Sequence, residues 1–335
     1  MLKRVKVLII VCSILLVLAV FLGVWFFGAS YKDFPAKDRF AIPGLDTDFM
    51  PQGICRVDHK GVWLVTGYMW KGGPSRVYVI DEISGEAKKY FTLTDTDGAT
   101  KLTGHLGGIA NSGNHIWISS ERYVYHFYYE SVSAIHDGGT INVVDKFDSG
   151  TGADFCYCND EVLVVGEFYR EQNYKVEGHE LIRDDGETNY AYALAFKLGN
   201  GKYGLDTDST GTVKPVIAYS LPNLVQGFCL TPDNKIVLST SYALPKGEIL
   251  VYDMNLPENV RSAGKITILD TEVNLIPLWT DKATQAVKCP NMCEGLDYYN
   301  GEIFVLYESA AHFYRTFTRT RNKYVQSFKI SDLAE

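Results

Sequence analysis

Five side chains able to hold a ligand or move a proton recur at matching points of the chain: Gln52, His105, Asp154, Gln226 and Glu294. Two carboxylates, two amides and an imidazole offer oxygen and nitrogen donors. A hard cation such as Ca²⁺ takes about 6–8 oxygens, which carboxylate, amide and water supply together. On that reading Glu294 and Asp154 are the metal ligands. The same groups also suit a structural role, hydrogen-bonding to backbone where strands converge, because buried polar atoms need partners. Direct contact with an organic ligand is the third possibility.

A second set lies one strand further on. Glu121, Glu167 and Glu308 are expected at the ends of second strands in three repeats, where they form either an outer carboxylate ring or solvated pairs with Arg122, Arg170 and Arg315. Acid–base work by such a ring needs burial to raise a carboxyl pKa. The run from His312-Phe313-Tyr314-Arg315 to Arg319 and Arg321 is basic and aromatic in an acidic domain. Arg315 is its candidate grip for a carboxylate or phosphate, through paired N–H donors. Tyr68, Trp70, Tyr169 and Tyr242 supply flat apolar faces, mostly with polar tips, which suit a sugar or peptide and serve equally as caps over strand ends. No Gly-x-Ser-x-Gly elbow, phosphate-binding loop or His-Glu-x-x-His helix occurs.

These residues are positioned by a repeat. Gln52-Gly53-Ile54-Cys55, Gly107-Gly108-Ile109-Ala110, Ala153-Asp154-Phe155-Cys156, Gln226-Gly227-Phe228-Cys229 and Glu294-Gly295-Leu296-Asp297 each open a short alternating strand. Each is followed by a turn of Asn, Asp or Gly, residues that tolerate positive φ, and by a second strand. Units that bury their faces only against neighbours make a radial array. The fold class is therefore all-β, a single β-propeller of five blades, with six as the alternative. The last unit supplies three strands, and Arg39–Ile42 supplies its fourth, closing the ring and removing an exposed edge. Fourth strands are expected at Ile141–Phe147 in the second blade and Lys265–Leu269 in the fourth. Arg170–Asn189 and Val273–Lys288 are expected as long loops. In such a meander the loops joining second to third strands share a face with the starts of the inner strands. That face gathers the long, chemically rich connections, so binding is expected there.

The chain is 335 residues long, and its start is a separate matter. Lys3, Arg4 and Lys6 precede an uncharged stretch from Val7 to Phe27, which as a helix reaches roughly the 30 Å of a bilayer core. We expect a cytoplasmic segment 1–6, one transmembrane helix 7–27, a linker 28–37 and an extracytoplasmic propeller 38–335, the basic residues placing the N-terminus inside. A cleaved signal peptide is the rival, giving a secreted product. The exported part keeps 29 of 32 basic residues and all 40 acidic ones, a net charge of −11. That surface excludes nucleic acid as a partner. Cys55, Cys156 and Cys229 hold one position in three units, so they are expected as small buried contacts between blades. Cys289 and Cys293 lie close enough in sequence to pair.

At Gln52-Gly53, Gln226-Gly227 and Glu294-Gly295-Leu296-Asp297 the chain resembles the group of exported propellers containing gluconolactonases, strictosidine synthases and paraoxonases. The resemblance implies a channel metal such as Ca²⁺ held in part by Glu294, and hydrolysis of lactones or esters. The residues themselves favour a membrane-anchored extracytoplasmic module that binds a small molecule, glycan, peptide or protein. A Ca²⁺-dependent hydrolase of lactones, esters or phosphoesters is the alternative.

Overall fold

The computed structural model describes residues 2–27, 34–256, 262–318 and 320–333. Residues 28–33 of the expected linker, and Arg319, lie outside the described set. Helix α1 (Leu2–Phe27) comes first. Its side chains are described at 4–6 and 9–20, and among the described residues no helix is long and apolar enough to cross a membrane.

After β1 (Lys37–Ala41), the chain makes five mainly antiparallel sheets around one axis. Blade 1 is β2 (Phe49–Val57), β3 (Val62–Met69), β4 (Arg76–Asp81) and β5 (Ala87–Thr94). Blade 2 is β6 (Gly108–Ser112), β7 (His115–Ser120) and β8 (Tyr123–Tyr128); β9 (Gly139–Asn142) and β10 (Asp145–Asp148) follow. Blade 3 is β11 (Phe155–Cys158) and β12 (Val162–Gly166), then, after the small hairpin β13 (Leu181–Ile182) and β14 (Thr188–Asn189), β15 (Ala191–Lys197) and β16 (Pro215–Leu221). Blade 4 is β17 (Val225–Leu230), β18 (Lys235–Thr240) and β19 (Gly247–Asp253), followed by β20 (Lys265–Ile268), β21 (Thr271–Pro277) and β22 (Gln285–Cys289). Blade 5 is β23 (Cys293–Tyr299), β24 (Glu302–Tyr307) and β25 (Tyr324–Phe328).

The ring closes as the sequence pattern requires, with β1 pairing antiparallel to β25. Aromatic packing locks that seam. Trp63 of blade 1 is buried against Phe304 of blade 5 at 4.4 Å between ring centroids, and against Phe40 of β1 at 5.6 Å. Two outer strands differ from expectation. The stretch Ile141–Phe147 is split: β9 runs parallel to β5 on the edge of blade 1, and only β10 completes blade 2. Likewise Lys265–Leu269 does not complete blade 4. It forms a hairpin with β21 on the edge of blade 3, and the fourth strand of blade 4 is β22. Thus 273–288 is mostly strand. Outer edges are the exposed part of a blade, so a passing segment gains ladder hydrogen bonds by covering one, and local pattern does not tell which edge it reaches.

The repeated glycines have a physical reason. A Cβ on Gly53 would stand 2.9 Å from the Cα of Gly108, one on Gly108 2.1 Å from the backbone nitrogen of Cys156, and one on Gly295 3.0 Å from the Cα of Gly53. On Gly227 it would stand 2.7 Å from the carbonyl oxygen of Glu294. Inner strands of neighbouring blades therefore touch backbone to backbone, which only glycine permits. Blade 3 lacks the glycine and is joined to blade 4 by a bond from the Tyr157 hydroxyl to the Leu230 carbonyl at 2.8 Å. The buried thiols Cys55, Cys156 and Cys229 are free, as expected for small contacts near the axis. Cys289 and Cys293 are also free, with their sulfurs 3.6 Å apart.

Replacing Gly108 by Ala forces two inner strands apart. The predicted cost is about 1–3 kcal/mol or more, the usual penalty for overpacking a full core, read as a lower denaturant midpoint. An unchanged midpoint would contradict the close approach.

Candidate functional site

The glycines also act on their neighbours. The β2–β3 register slips between Pro51 and Gly53, the β17–β18 register between Val225 and Gly227, and the β23–β24 register between Cys293 and Leu296. Each slip is a β-bulge at the same point of its blade, and bulges re-aim side chains. The bulged residues are Gln52, Gln226 and Glu294. In blades 2 and 3 the equivalent residues, His105 and Asp154, lie just ahead of the inner strand, with Ala153 held at φ +55°.

The tightest group forms where blades 5 and 1 meet. Gln52 Nε2 donates to Glu308 Oε2 at 2.9 Å and to its neighbour's carbonyl, Pro51 O, at 2.9 Å. Glu308 is buried, and desolvation holds its carboxyl up to about 8 despite the Gln52 bond. Glu294 is only 2% exposed, and its carboxyl is raised by desolvation first, then by the charge of Glu308 and of Cys293. Its Oε1 has no hydrogen-bond partner, the one carboxylate oxygen so placed among the described buried side chains. Leaving such an atom unpaired costs on the order of 1–3 kcal/mol.

An aromatic rim surrounds this pair. Tyr68 stacks on His105 at 4.0 Å, and burial, then Glu308, raises the Tyr68 hydroxyl. Burial and then Glu308 raise Tyr314 as well, and the charges of Tyr242, Asp154 and Glu308 reach Tyr174. Tyr242 carries the Arg170 guanidinium over its ring at 4.0 Å, and Trp70 stacks on Phe313 at 3.9 Å. Asp154 is both open and enclosed: its surface is exposed to solvent in the channel while protein surrounds it. That enclosure raises its carboxyl to about 6, opposed by the Phe168 N–H donated at 2.8 Å and aided by Glu167.

Several expected roles fall elsewhere. Glu121, Glu167 and Glu308 do not make one carboxylate ring, and none is paired with its neighbouring arginine. Glu121 is exposed. Glu167 accepts the N–H groups of Gly152 at 2.9 Å and Tyr192 at 2.8 Å and is hydrogen-bonded to His179, which makes it a structural anchor. Arg122 binds Asp148 at 2.6 Å, and Arg170 bonds to Asn173. Arg315 lies 3.7 Å from Asp46, beside a cavity of about 370 Å³ on the flank of blade 5. Tyr169 is buried, stacked on Tyr190 at 4.5 Å, and so is a packing cap. Gln226 donates weakly to its own blade, to Ser241 O at 3.4 Å. Tyr174 and His179 were not legible from the sequence, and Tyr314 only as part of the basic aromatic run, since all three sit in loops whose path the repeat does not dictate.

The Ca²⁺ expectation can be compared with the donor set. Among the described residues no three His, Cys, Asp or Glu side chains stand together as metal ligands. Asp154 accepts the Phe168 N–H, and the neighbouring carboxylate charge that acts on it is that of Glu167, not Glu294. The paired ligand set Glu294 and Asp154 therefore does not fit, and no chemical step is drawn through a metal.

The opposite face holds a cavity of about 440 Å³, lined by inner-strand ends and first turns, including Asp58, Asn111, Asn159 and Asp297. Its polar groups are already engaged. Asp297 accepts the Arg56 N–H at 2.6 Å and the Tyr298 N–H at 2.9 Å, and Asn111 bonds to the Gly113 and His115 carbonyls and the Asp58 N–H. The unsatisfied chemistry lies at the loop-rich mouth.

Fold and site together define a five-bladed β-propeller with a polar, aromatic-rimmed channel mouth. No protein-family model matches the sequence, and no curated protein matches it. Solved structures similar in outline include glutaminyl cyclase from Myxococcus xanthus, with 10% identity over 88% of this chain and 94% of that one, at a TM-score of 0.43. PQQ-bound aldose sugar dehydrogenase from Streptomyces coelicolor shares 11% identity over 87% and 95%, at 0.46. BamB from Moraxella catarrhalis shares 10% over 85% and 84%, at 0.32. At these levels no chemistry transfers, and the propeller assignment rests on this chain's own strand order.

The raised carboxyls set a pH dependence. Unfolded, they ionise in the ordinary range; folded, they keep their protons up to about 6 for Asp154, about 7 for Asp297 and about 8 for Glu308. Between those limits the folded state binds more protons, so their contribution is complete below the unfolded values and is lost as pH rises through the folded ones. Glu308→Gln is predicted to be more stable than the parent at pH 9, by about 1 kcal/mol or more, in parallel denaturant melts. A variant less stable at that pH would contradict the assignment.

Proposed function

We propose that this protein is a ligand-binding propeller held at the outer surface of a membrane by its N-terminal helix, taking a small-molecule, glycan or peptide ligand at the loop-rich mouth. The observation that carries the reading is Glu294: a buried carboxylate oxygen without a partner, beside the Gln52–Glu308 bond and under a tyrosine rim. A fold that satisfies nearly all its other buried polar groups leaves one open where long loops converge, and an incoming donor is the simplest way to complete it. The tyrosines fit that role because each presents a flat contact surface at low conformational cost. The anchor reading is supported by the uncharged run Val7–Phe27 behind Lys3, Arg4 and Lys6. The alternative, a hydrolase of lactones, esters or phosphoesters, would use the same mouth, with Glu308 as the proton source.

Two measurements test this. Full-length protein in detergent, screened against glycan, peptide and metabolite panels, should bind a ligand without turning it over, and Tyr68→Ala should weaken binding about tenfold, as loss of a buried aromatic contact does. Hydrolysis of an ester, lactone or phosphoester abolished by Glu308→Gln would favour the enzyme instead. For location, the protein should sediment with membranes and its propeller should be open to protease from outside the cell; recovery from the soluble cytoplasm would remove the anchor.

A further inference from the structure

The hydrogen-bonding capacity of the Glu294–Glu308 pair and the Gln52 carbonyl is one-sided once the carboxyls are ionised. Both donor uses of the Gln52 amide nitrogen are taken, by Glu308 Oε2 and Pro51 O, each at 2.9 Å, so its carbonyl oxygen is what remains to offer. Glu294 Oε1 is unpartnered and buried. When ionised, Glu294 and Glu308 are acceptors only. Among the described residues, no Lys, Arg or His side chain forms an ion pair or hydrogen bond with either. The described groups nearest the pair are thus oxygens seeking hydrogen, enclosed by Tyr68, Tyr174 and Tyr314, with Tyr242 beyond.

We propose that the mouth is a receptor for a primary ammonium group, its three N–H donors met by Glu294, Glu308 and the Gln52 carbonyl and its flanks by the tyrosine faces. An ammonium carries three donors and no acceptor, the complement of this set. A sugar hydroxyl would bring an acceptor that the ionised carboxylates and the Gln52 carbonyl do not answer. Aromatic faces attract a cation within about 6 Å of a ring centroid, and this rim already does so internally, with Arg170 over Tyr242. The acidic exported domain draws cations towards it. The inference rests on the binding reading above and names the ligand class.

A proton consequence follows. The charges of Glu308 and Cys293 act on Glu294, those of Glu308 and Glu294 on Tyr68 and Tyr314, and those of Tyr242, Asp154, Glu308 and Arg170 on Tyr174, while Glu121 acts on His105, which stacks on Tyr68. Desolvation holds the Glu308 proton up to about 8 and raises the Glu294 carboxyl in the same direction. An arriving ammonium replaces the Glu308 proton, so binding releases a proton to solvent. Affinity then rises with pH until the amine itself loses its charge.

The test is calorimetric titration of full-length protein with butylamine, phenethylamine and glucosamine, against 2-phenylethanol, glucose and CaCl₂. The expected result is binding of amines and not of their neutral counterparts, with heats at pH 7 that depend on buffer ionisation because a proton is released. For butylamine and phenethylamine, which stay charged, affinity should rise about tenfold or more between pH 6 and pH 9, and Glu294→Gln should weaken it by a similar factor, the scale of one charge-assisted hydrogen bond. Glu308→Gln provides the same comparison should Glu294→Gln not fold, and Glu121→Gln should bind as the parent does. Equal binding of amine and alcohol, amine binding without proton release, or no amine binding at all would overturn the ammonium assignment. Binding of glucose or 2-phenylethanol that Tyr68→Ala abolishes would overturn it while leaving the ligand-binding reading standing. Proton release on adding CaCl₂ alone, lost in Glu294→Gln, would replace it with a cation site.

Discussion

Backbone touching backbone at the axis governs the rest of this molecule. Gly53 lies against Gly108, Gly108 against the Phe155–Cys156 peptide, Gly227 against Glu294, and Gly295 against Gly53. At those separations no Cβ fits, so the inner strands pack closely and leave little water between the bulged residues and the blades beside them. Desolvation of Glu294 and Glu308 is the electrostatic result. A looser ring would hydrate both carboxyls and return them to the ordinary range.

The two ends of the channel show how one scaffold yields different surfaces. At the turn face, Asp297 is as enclosed as Glu294, yet its two backbone N–H partners complete it. At the loop face, three bulges break the ladder in a common place, and the third leaves Glu294 Oε1 without a partner. The contrast comes from backbone geometry more than from residue type, since both ends are rich in carboxylates and amides. The aromatic rim then forms from second-strand ends and long loops, where a rigid blade can carry variable chain.

Much of this was legible in the sequence, for reasons that can be named. The glycine motif announced the inner strands because a close approach tolerates one residue type, and Arg39–Ile42 announced the closing strand because blade 5 was one strand short. Gln52, Gln226 and Glu294 share one bulge position because the same register repeats. The swapped edge strands β9 and β20–β21 were not legible, because an apolar alternating segment pairs equally well with any exposed edge. The pairing of Glu308 with Gln52 was missed for a related reason: the residues belong to opposite ends of the chain and meet only through ring closure. Glu167 looked equivalent to Glu308 by position, but His179, arriving from an irregular loop, gave it a structural partner.

The most direct measurement is a carbon-detected NMR titration of the Glu308 carboxyl in the parent protein and in Gly295→Ala. The account predicts a midpoint near 8 in the parent and a fall towards the ordinary carboxylate range once the added methyl opens the seam and water enters. A parent midpoint already near 4.5, the ordinary glutamate value, would mean that the axis is wet and the inner strands stand apart, which contradicts it.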